Sequence, residues 1–220
     1  MTTRTLVVVS AGLGVPSSTR LLADRLAAAA RTRMEQDRPD RPVEVVVVEL
    51  RDLATEIAHR TVSGFTGTAL RDALEAVSQA DALIVATPMF NASYSGLFKS
   101  FFDVLNADAL TGKPVLIAAT GGSARHSLAL EHAVRPLFSF LRAQVAPTAV
   151  HAASEDWGQG GGRHTDPLGE RVERAAGELA AMVGHRPDVD ATPEQVTPFA
   201  QQLAAVGARP PGEGTGRPAA

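Results

Sequence analysis

Leu6-Val7-Val8-Val9, followed by Ser10-Ala11-Gly12-Leu13-Gly14-Val15-Pro16-Ser17-Ser18, is the stretch from which the fold is read. The first four residues are apolar and mostly β-branched, the pattern of a short strand covered on both faces. The segment after them is rich in glycine and serine. Residues 19–36 then turn alanine-, leucine- and arginine-rich, with Leu22, Leu26 and Ala29 at helical spacing. Strand, polar loop, helix is the opening of an alternating α/β chain.

The alternation continues outward from there. Residues 43–50 read VEVVVVEL, a second buried strand. Residues 66–80 form a helix with Leu70, Leu74 and Val77 on one face, and residues 82–86 a third strand. A helix over 96–105, a strand over 114–119, a helix over 127–144 and a weak last strand over 148–151 follow. Such alternation predicts an α/β fold: a doubly wound, five-stranded parallel sheet with helices on both faces. The flavodoxin-like strand order 2-1-3-4-5 suits this length.

Residues 158–162 are glycine-rich, and 166–182 read as one more helix. We take 1–184 as the folded domain and 185–220 as a proline-rich extension. Its end, 207–220, has almost nothing to bury and is expected to be disordered.

Composition excludes several classes. The chain has 220 residues and no cysteine, which removes a disulfide scaffold, a Cys-ligated metal or cluster and a thiol nucleophile. Its formal net charge of −3 does not suit a nucleic-acid binder that relies on bulk positive charge. No apolar run approaches the roughly 20 residues of a membrane span, and no signal peptide is visible, so a cytoplasmic protein is expected.

In an open parallel sheet, ligands bind beyond the carboxyl ends of the strands. Three loops at those ends carry chemistry. The first offers Ser10 where the strand ends, and Ser17, Ser18 and Thr19 at the head of a helix, where unpaired N–H groups and the dipole favour an anion such as a phosphate monoester. Arg20 can add charge. Ser18 reads equally well as a plain helix cap. Gly12-x-Gly14-x-x-Ser17 nearly matches a dinucleotide fingerprint, but a match this short is weak, and no Gly-Lys-Ser/Thr is present for a Walker loop.

The second loop holds Thr87, Pro88, Met89, Phe90, Asn91, Ala92, Ser93 and Tyr94, the chain's only tyrosine. It can line a flat, hydrogen-bonding heterocycle. It also reads as an ordinary polar turn with Phe90 and Tyr94 packed on the next helix. The third loop is Thr120, Gly121, Gly122 and Ser123, whose glycines let a planar ligand approach the backbone. The predicted order brings all three loops to one crevice.

These residues carry a resemblance. TPMFNASYSGLFK over 87–99, the Gly112-Lys113-Pro114 lead into the fourth strand, the Gly-Gly loop and the serine-rich first loop resemble the NADPH-dependent FMN reductase family of flavodoxin-like proteins. The likeness covers roughly residues 6–157. It is especially close to reductases that supply reduced flavin to two-component, luciferase-like monooxygenases. The resemblance implies FMN on the three loops, NADPH or NADH as hydride donor, a homodimer or homotetramer, and a flavin-dependent monooxygenase as partner. It implies backbone N–H groups near Met89 and Asn91 at the ring and Gly121 and Gly122 on its other side. No acid–base residue is required, so the catalytic list is empty. A quinone or azo-compound reductase, a flavodoxin-type electron carrier and a non-catalytic nucleotide-binding protein are the alternatives.

The chain departs from that family in places. Ser10-Ala11-Gly12-Leu13 stands where many relatives have Gly-Ser-x-Arg, and Ala92 and Ser95 replace a common Gly and Pro. His126 and His132, six apart, are poorly spaced for a metal. Arg125 and His126 can touch a nicotinamide phosphate or simply open a solvated helix. Trp157 can reach the flavin, reach a neighbouring subunit or cap the core. The helix over 96–105 is apolar on more than one face, which predicts that Phe98, Phe101 or Phe102 meets a second subunit.

Overall fold

The computed structural model describes residues 3–157 and 167–185. The chain runs β1 (Arg4–Ser10), α1 (Ser18–Asp37), β2 (Val43–Glu49), α2 (Ala54–Ser63), α3 (Thr68–Gln79), β3 (Ala82–Phe90), β4 (Ser93–Tyr94) and α4 (Gly96–Asp103). It continues with β5 (Pro114–Gly121), α5 (Arg135–Phe140), β6 (Gln144–Val145), β7 (Val150–Ala153) and α6 (Pro167–Gly184). The sheet order is β2-β1-β3-β5-β6, with β7 also on β5 and β4 folded back on β3. The expected order 2-1-3-4-5 is therefore present, with its fifth position filled by two short strands.

Both faces of the sheet are buried, and alternate residues show it. Val7, Val9, Leu83, Val85, Val115 and Ile117 face one core, with α2, α3, α4 and α5. Leu6, Val8, Ala82, Ile84, Leu116 and Ala118 face the other, with α1 and α6. A period of two with both faces apolar is what continuous β-branched runs encode.

Several expectations shift. The last strand falls at Val150–Ala153 rather than 148–151. Pro147 has no N–H for a ladder, and after Ala146, whose N–H still donates to Val115 O at 2.8 Å, the chain leaves the sheet until Val150. Arg135 donates to Ala146 O (2.9 Å) and Pro147 O (3.0 Å), and the Thr148 N–H donates to Glu178 (2.6 Å). The single helix expected over 127–144 is instead a 3₁₀ turn (Ala124–Ser127), a π turn (Leu130–Val134) and α5. Pro136 supplies no N–H to the His132 carbonyl four residues back, and the ladder is interrupted there. Before α3, a 3₁₀ turn (Leu50–Leu53) and α2 occupy a stretch with no predicted element.

The apolar excess of α4 has an internal explanation. Phe98, Phe101 and Phe102 are 0%, 0% and 3% exposed. The Phe102 ring lies 4.9 Å from that of Phe98, tilted, and 4.9 Å from that of Phe138, edge-on. The expectation that these rings meet a second subunit is overturned: α4 and α5 bury them within one chain. The Gly112-Lys113-Pro114 lead is likewise structural. The Lys113 ammonium is buried and donates to Ser78 O (2.9 Å) and Ala80 O (2.6 Å) at the end of α3. The extension over 185–220 and its tail, like the 158–162 loop, lie outside the described residues apart from His185.

Candidate functional site

β1, β3 and β5 are parallel neighbours, so their carboxyl ends share one edge. Ser10 pairs with Ala86, and Pro88 with Thr120. The Ala11 N–H donates to Ala86 O at 2.9 Å, tying the first loop to β3. One contact then spans β3 altogether: Thr19 Oγ1 and Thr120 Oγ1 are 2.7 Å apart and buried. The head of α1 and the end of β5 are thereby joined, and the three loops meet.

At the first loop the N-cap is Ser17, not Ser18. Its Oγ accepts from the Arg20 N–H at 3.2 Å. Ser18 is exposed at the first helical position. The first backbone bond of α1 is Leu21 N–H to Ser17 O (3.0 Å), which leaves the Ser18 and Thr19 N–H groups ahead of it. Thr19 is buried and its hydroxyl is engaged with Thr120, so of its polar groups the N–H is the one left for an anion at this helix head. Ser10 is also buried, and its Oγ accepts from the Gly12 N–H at 3.5 Å inside the loop. A Cβ on Gly12 would collide with Ser17 Oγ and lie 3.2 Å from Thr19 Cβ. The tight pleat of this loop therefore requires glycine at 12.

Arg20 does not supply free charge here. It is held by Asp24 (2.7 Å) and Glu49 (2.6 Å), and its pKa is raised, chiefly by the Asp24 bond. Arg51, which the sequence reading passed over, donates to Gly14 O at 3.1 Å from the end of β2. Its signal was positional: it follows the second strand at the same sheet edge.

The second loop is a hairpin. Met89 pairs with Tyr94 and Phe90 with Ser93, around Asn91 (φ 49°) and Ala92 (φ 68°). Two consecutive positive φ values make the tight turn that favours Asn-Gly, which accounts for the glycine expected at 92. Thr87 is buried and works on the scaffold: its Oγ1 accepts from the Ser95 N–H (3.1 Å). Ser95 in turn caps α4, accepting from the Phe98 N–H (3.2 Å). A proline at 95 could not donate to Thr87, so the departure there is compensated. Met89 is core, and Pro88 is half-buried beside it. Tyr94 packs on Phe98 at 5.9 Å. Phe90 is 47% exposed. Phe90, Asn91 and Ala92 are the exposed residues of this loop.

At the third loop, Gly122 opens to free space: an added Cβ meets nothing within 4 Å. Ser123 caps the turn that follows, accepting from the Arg125 N–H (3.2 Å). Gly121 is different. A Cβ there would come within 2.9 Å of His151 Nε2 and 3.1 Å of His126 Nδ1. Both nitrogens are buried without a hydrogen-bond partner. Burial above all lowers the His151 pKa, with His126 and Arg171 adding to it against Asp156. Only the strand pairing of β7 with β5 places His151 here, so sequence spacing could not show it.

The remaining candidates fall as follows. Trp157 packs against the α1/α6 core, under the Arg25 guanidinium at 5.2 Å, and so caps that core. Among the described residues no three His, Asp or Glu side chains cluster to hold a metal, and no helix is long and apolar enough to cross a membrane. A crevice of about 830 Å³, lined by Arg60, Arg71, Leu74 and Asn106 among others, contains none of the three loops. We place the site by the chemistry of the loops rather than by volume.

The donor set fits FMN. Hydroxyls and N–H groups at the head of α1 suit a phosphate monoester, and the open face above Gly122 suits a planar ring. Fold and site together define a flavodoxin-like sheet built for a phosphorylated, planar ligand.

Comparison with known proteins agrees. The profile of the NADPH-dependent FMN reductase family matches residues 4–158. An FMN reductase (NADPH) from Pseudomonas aeruginosa is 36% identical over 183 residues, covering 83% of this chain and 94% of that one. The NADH-dependent FMN reductase SfnF of Pseudomonas fluorescens is 37% identical over 178 residues, 81% of this chain and 91% of that one. The crystal structure of an oxidoreductase from Corynebacterium diphtheriae is 46% identical, with a TM-score of 0.78, covering 84% of this chain and 99% of that one. The chain belongs to the NADPH-dependent FMN reductase family. That membership makes it an oxidoreductase that works with FMN and a reduced nicotinamide nucleotide.

Proposed function

We propose that this chain reduces FMN with NADPH or NADH by hydride transfer from the nicotinamide to flavin N5, and that the reduced flavin serves a flavin-dependent monooxygenase. The observation that carries this reading is the convergence of three ligand-type loops, joined by the Thr19–Thr120 bond. FMN, when bound, supplies the ring that accepts the hydride. The chain's own residues bind and orient. Ser17, Ser18 and the Ser18 and Thr19 N–H groups hold the phosphate. Phe90 and Asn91 border the ring on one side, and Gly121 and Gly122 on the other. No side chain at these loops is needed as an acid or base, because the proton can come from solvent.

Self-association into a dimer or tetramer is part of this reading and rests on the family resemblance. The buried phenylalanines of α4 give it no support. The experiment is steady-state oxidation of NADPH and NADH with FMN, a quinone or an azo compound as acceptor. The reading expects FMN to be the best of the three. Preference for a quinone or azo acceptor would replace it with the corresponding reductase.

A further inference from the structure

The segment that follows the Gly-Gly loop separates charge between two crevices. On one side lies a crevice of about 380 Å³ whose lining includes Ala92 at the tip of the second loop, Arg125, His126, Leu128 and His132. No carboxylate lines it. On the other side lies one of about 320 Å³ that includes Glu131, Glu155, Asp156, His151 and Arg171. The acids of this region thus line the second crevice and not the one that Arg125 borders, although His132 still acts on Glu131 through charge. Glu131, the sequence neighbour of His132, is drawn aside by Arg135 at 2.9 Å.

Arg125 is the uncommitted cation on the first side. Among the described residues the Arg125 guanidinium has no ion pair and no hydrogen bond; only its backbone N–H is used, by Ser123. His126 and His132 line the same crevice, the His126 Nδ1 being turned toward Gly121 and shut off from solvent. A guanidinium and two imidazoles around an open, acid-free crevice form an anion site, and a guanidinium matches a phosphate in particular. The crevice adjoins both the Asn91–Ala92 turn and the Gly121–Gly122 loop. It is separate from the head of α1, where the FMN phosphate is placed.

We infer that the Arg125–His126–His132 crevice binds a phosphate group of the incoming nicotinamide dinucleotide; where that group is the 2′-phosphate, the crevice also sets the coenzyme preference. This rests on the proposed function and adds what that reading leaves open. The similar proteins differ on this point, one being named for NADPH and one for NADH. Two phosphates of the coenzyme share the chemistry: the diphosphate common to both, and the 2′-phosphate found only in NADPH.

The test measures KM for NADPH and for NADH in the wild type, in Arg125→Gln and in His132→Gln. Binding of adenosine 2′,5′-diphosphate is followed in parallel by calorimetry, which needs neither flavin nor turnover. Losing one charge-assisted bond predicts a rise of about tenfold or more in KM for Arg125→Gln. A rise for NADPH alone, with weaker adenosine 2′,5′-diphosphate binding, assigns the 2′-phosphate. An equal rise for both coenzymes assigns the diphosphate. Unchanged KM values for both coenzymes in folded variants would overturn the inference. A wild type that binds adenosine 2′,5′-diphosphate through Arg125 but reduces no FMN would instead overturn the functional reading and leave the crevice standing.

Discussion

Thr19 Oγ1 and Thr120 Oγ1 sit 2.7 Å apart in a buried contact that ties the first turn of α1 to the end of β5 across the intervening β3. Either hydroxyl can be the donor, and both are shut off from solvent. Replacing one with valine leaves the other unsatisfied, at a cost of about 1–3 kcal/mol. Replacing both removes the orphan. A double-mutant cycle in urea is therefore expected to show Thr19→Val plus Thr120→Val costing clearly less than the sum of the singles. Additive losses would mean the bond does not join the two loops.

The two serines of the first loop have different jobs. Ser17 caps α1, so Ser17→Ala lowers both melting temperature and FMN affinity, with a stability cost of about 0.5–2 kcal/mol. Ser18 is exposed and caps nothing. Ser18→Ala leaves the melting temperature in place but weakens FMN by about 1.5–3 kcal/mol, as expected for a lost bond to a charged group. Riboflavin, which lacks the phosphate, binds the Ser18→Ala variant as it binds the wild type. Equal weakening of both ligands would remove Ser18 from the phosphate site.

Ala92 occupies a left-handed conformation, φ 68°, that an L-residue adopts only at a cost of about 1–2 kcal/mol. Ala92→Gly is expected to raise stability, less whatever flexibility the glycine adds to the unfolded chain. The urea midpoint reads it. A lower midpoint would show that the Ala92 methyl is held by packing that outweighs the strain.

His151 carries an acid sensitivity. Its native pKa lies below the usual value of 6.5, because burial disfavours the imidazolium; His126 and Arg171 reinforce this and Asp156 opposes it. The unfolded chain therefore binds more protons below that value than the native chain does. The stability linked to a neutral His151 is complete above about pH 6.5 and falls as pH drops toward the depressed native pKa. Melting temperature followed from pH 7.5 down to about pH 5 should fall in the wild type and fall less in His151→Gln. Parallel curves would show that His151 titrates normally.

Much of the fold was legible because β-branched runs at 6–9 and 43–48 and the helical spacing of Leu22, Leu26 and Ala29 each point to one local structure. The loop positions followed from that alternation. What was not legible depends on contacts distant in sequence. Thr19 looks like any hydroxyl at a helix head until α1 lies against β5 and buries it on Thr120. His151 reaches Gly121 only through the β5–β7 pairing. The rings of α4 read as surplus because Phe138, which covers Phe98 and Phe102, is over 30 residues further along. The turn and helix over 50–63 did carry a signal, Leu50, Leu53 and Ile57 at helical spacing, all buried.

The central claim, that this chain turns over FMN at the expense of a reduced nicotinamide nucleotide, is tested most directly by anaerobic titration. Purified protein is mixed with a large molar excess of FMN and NADPH or NADH, and the loss of oxidised-flavin absorbance is followed. The account predicts that flavin far in excess of the protein is reduced, one equivalent for each nicotinamide nucleotide consumed. Reduction that stops at one flavin per chain, or that never begins with either coenzyme, would contradict it.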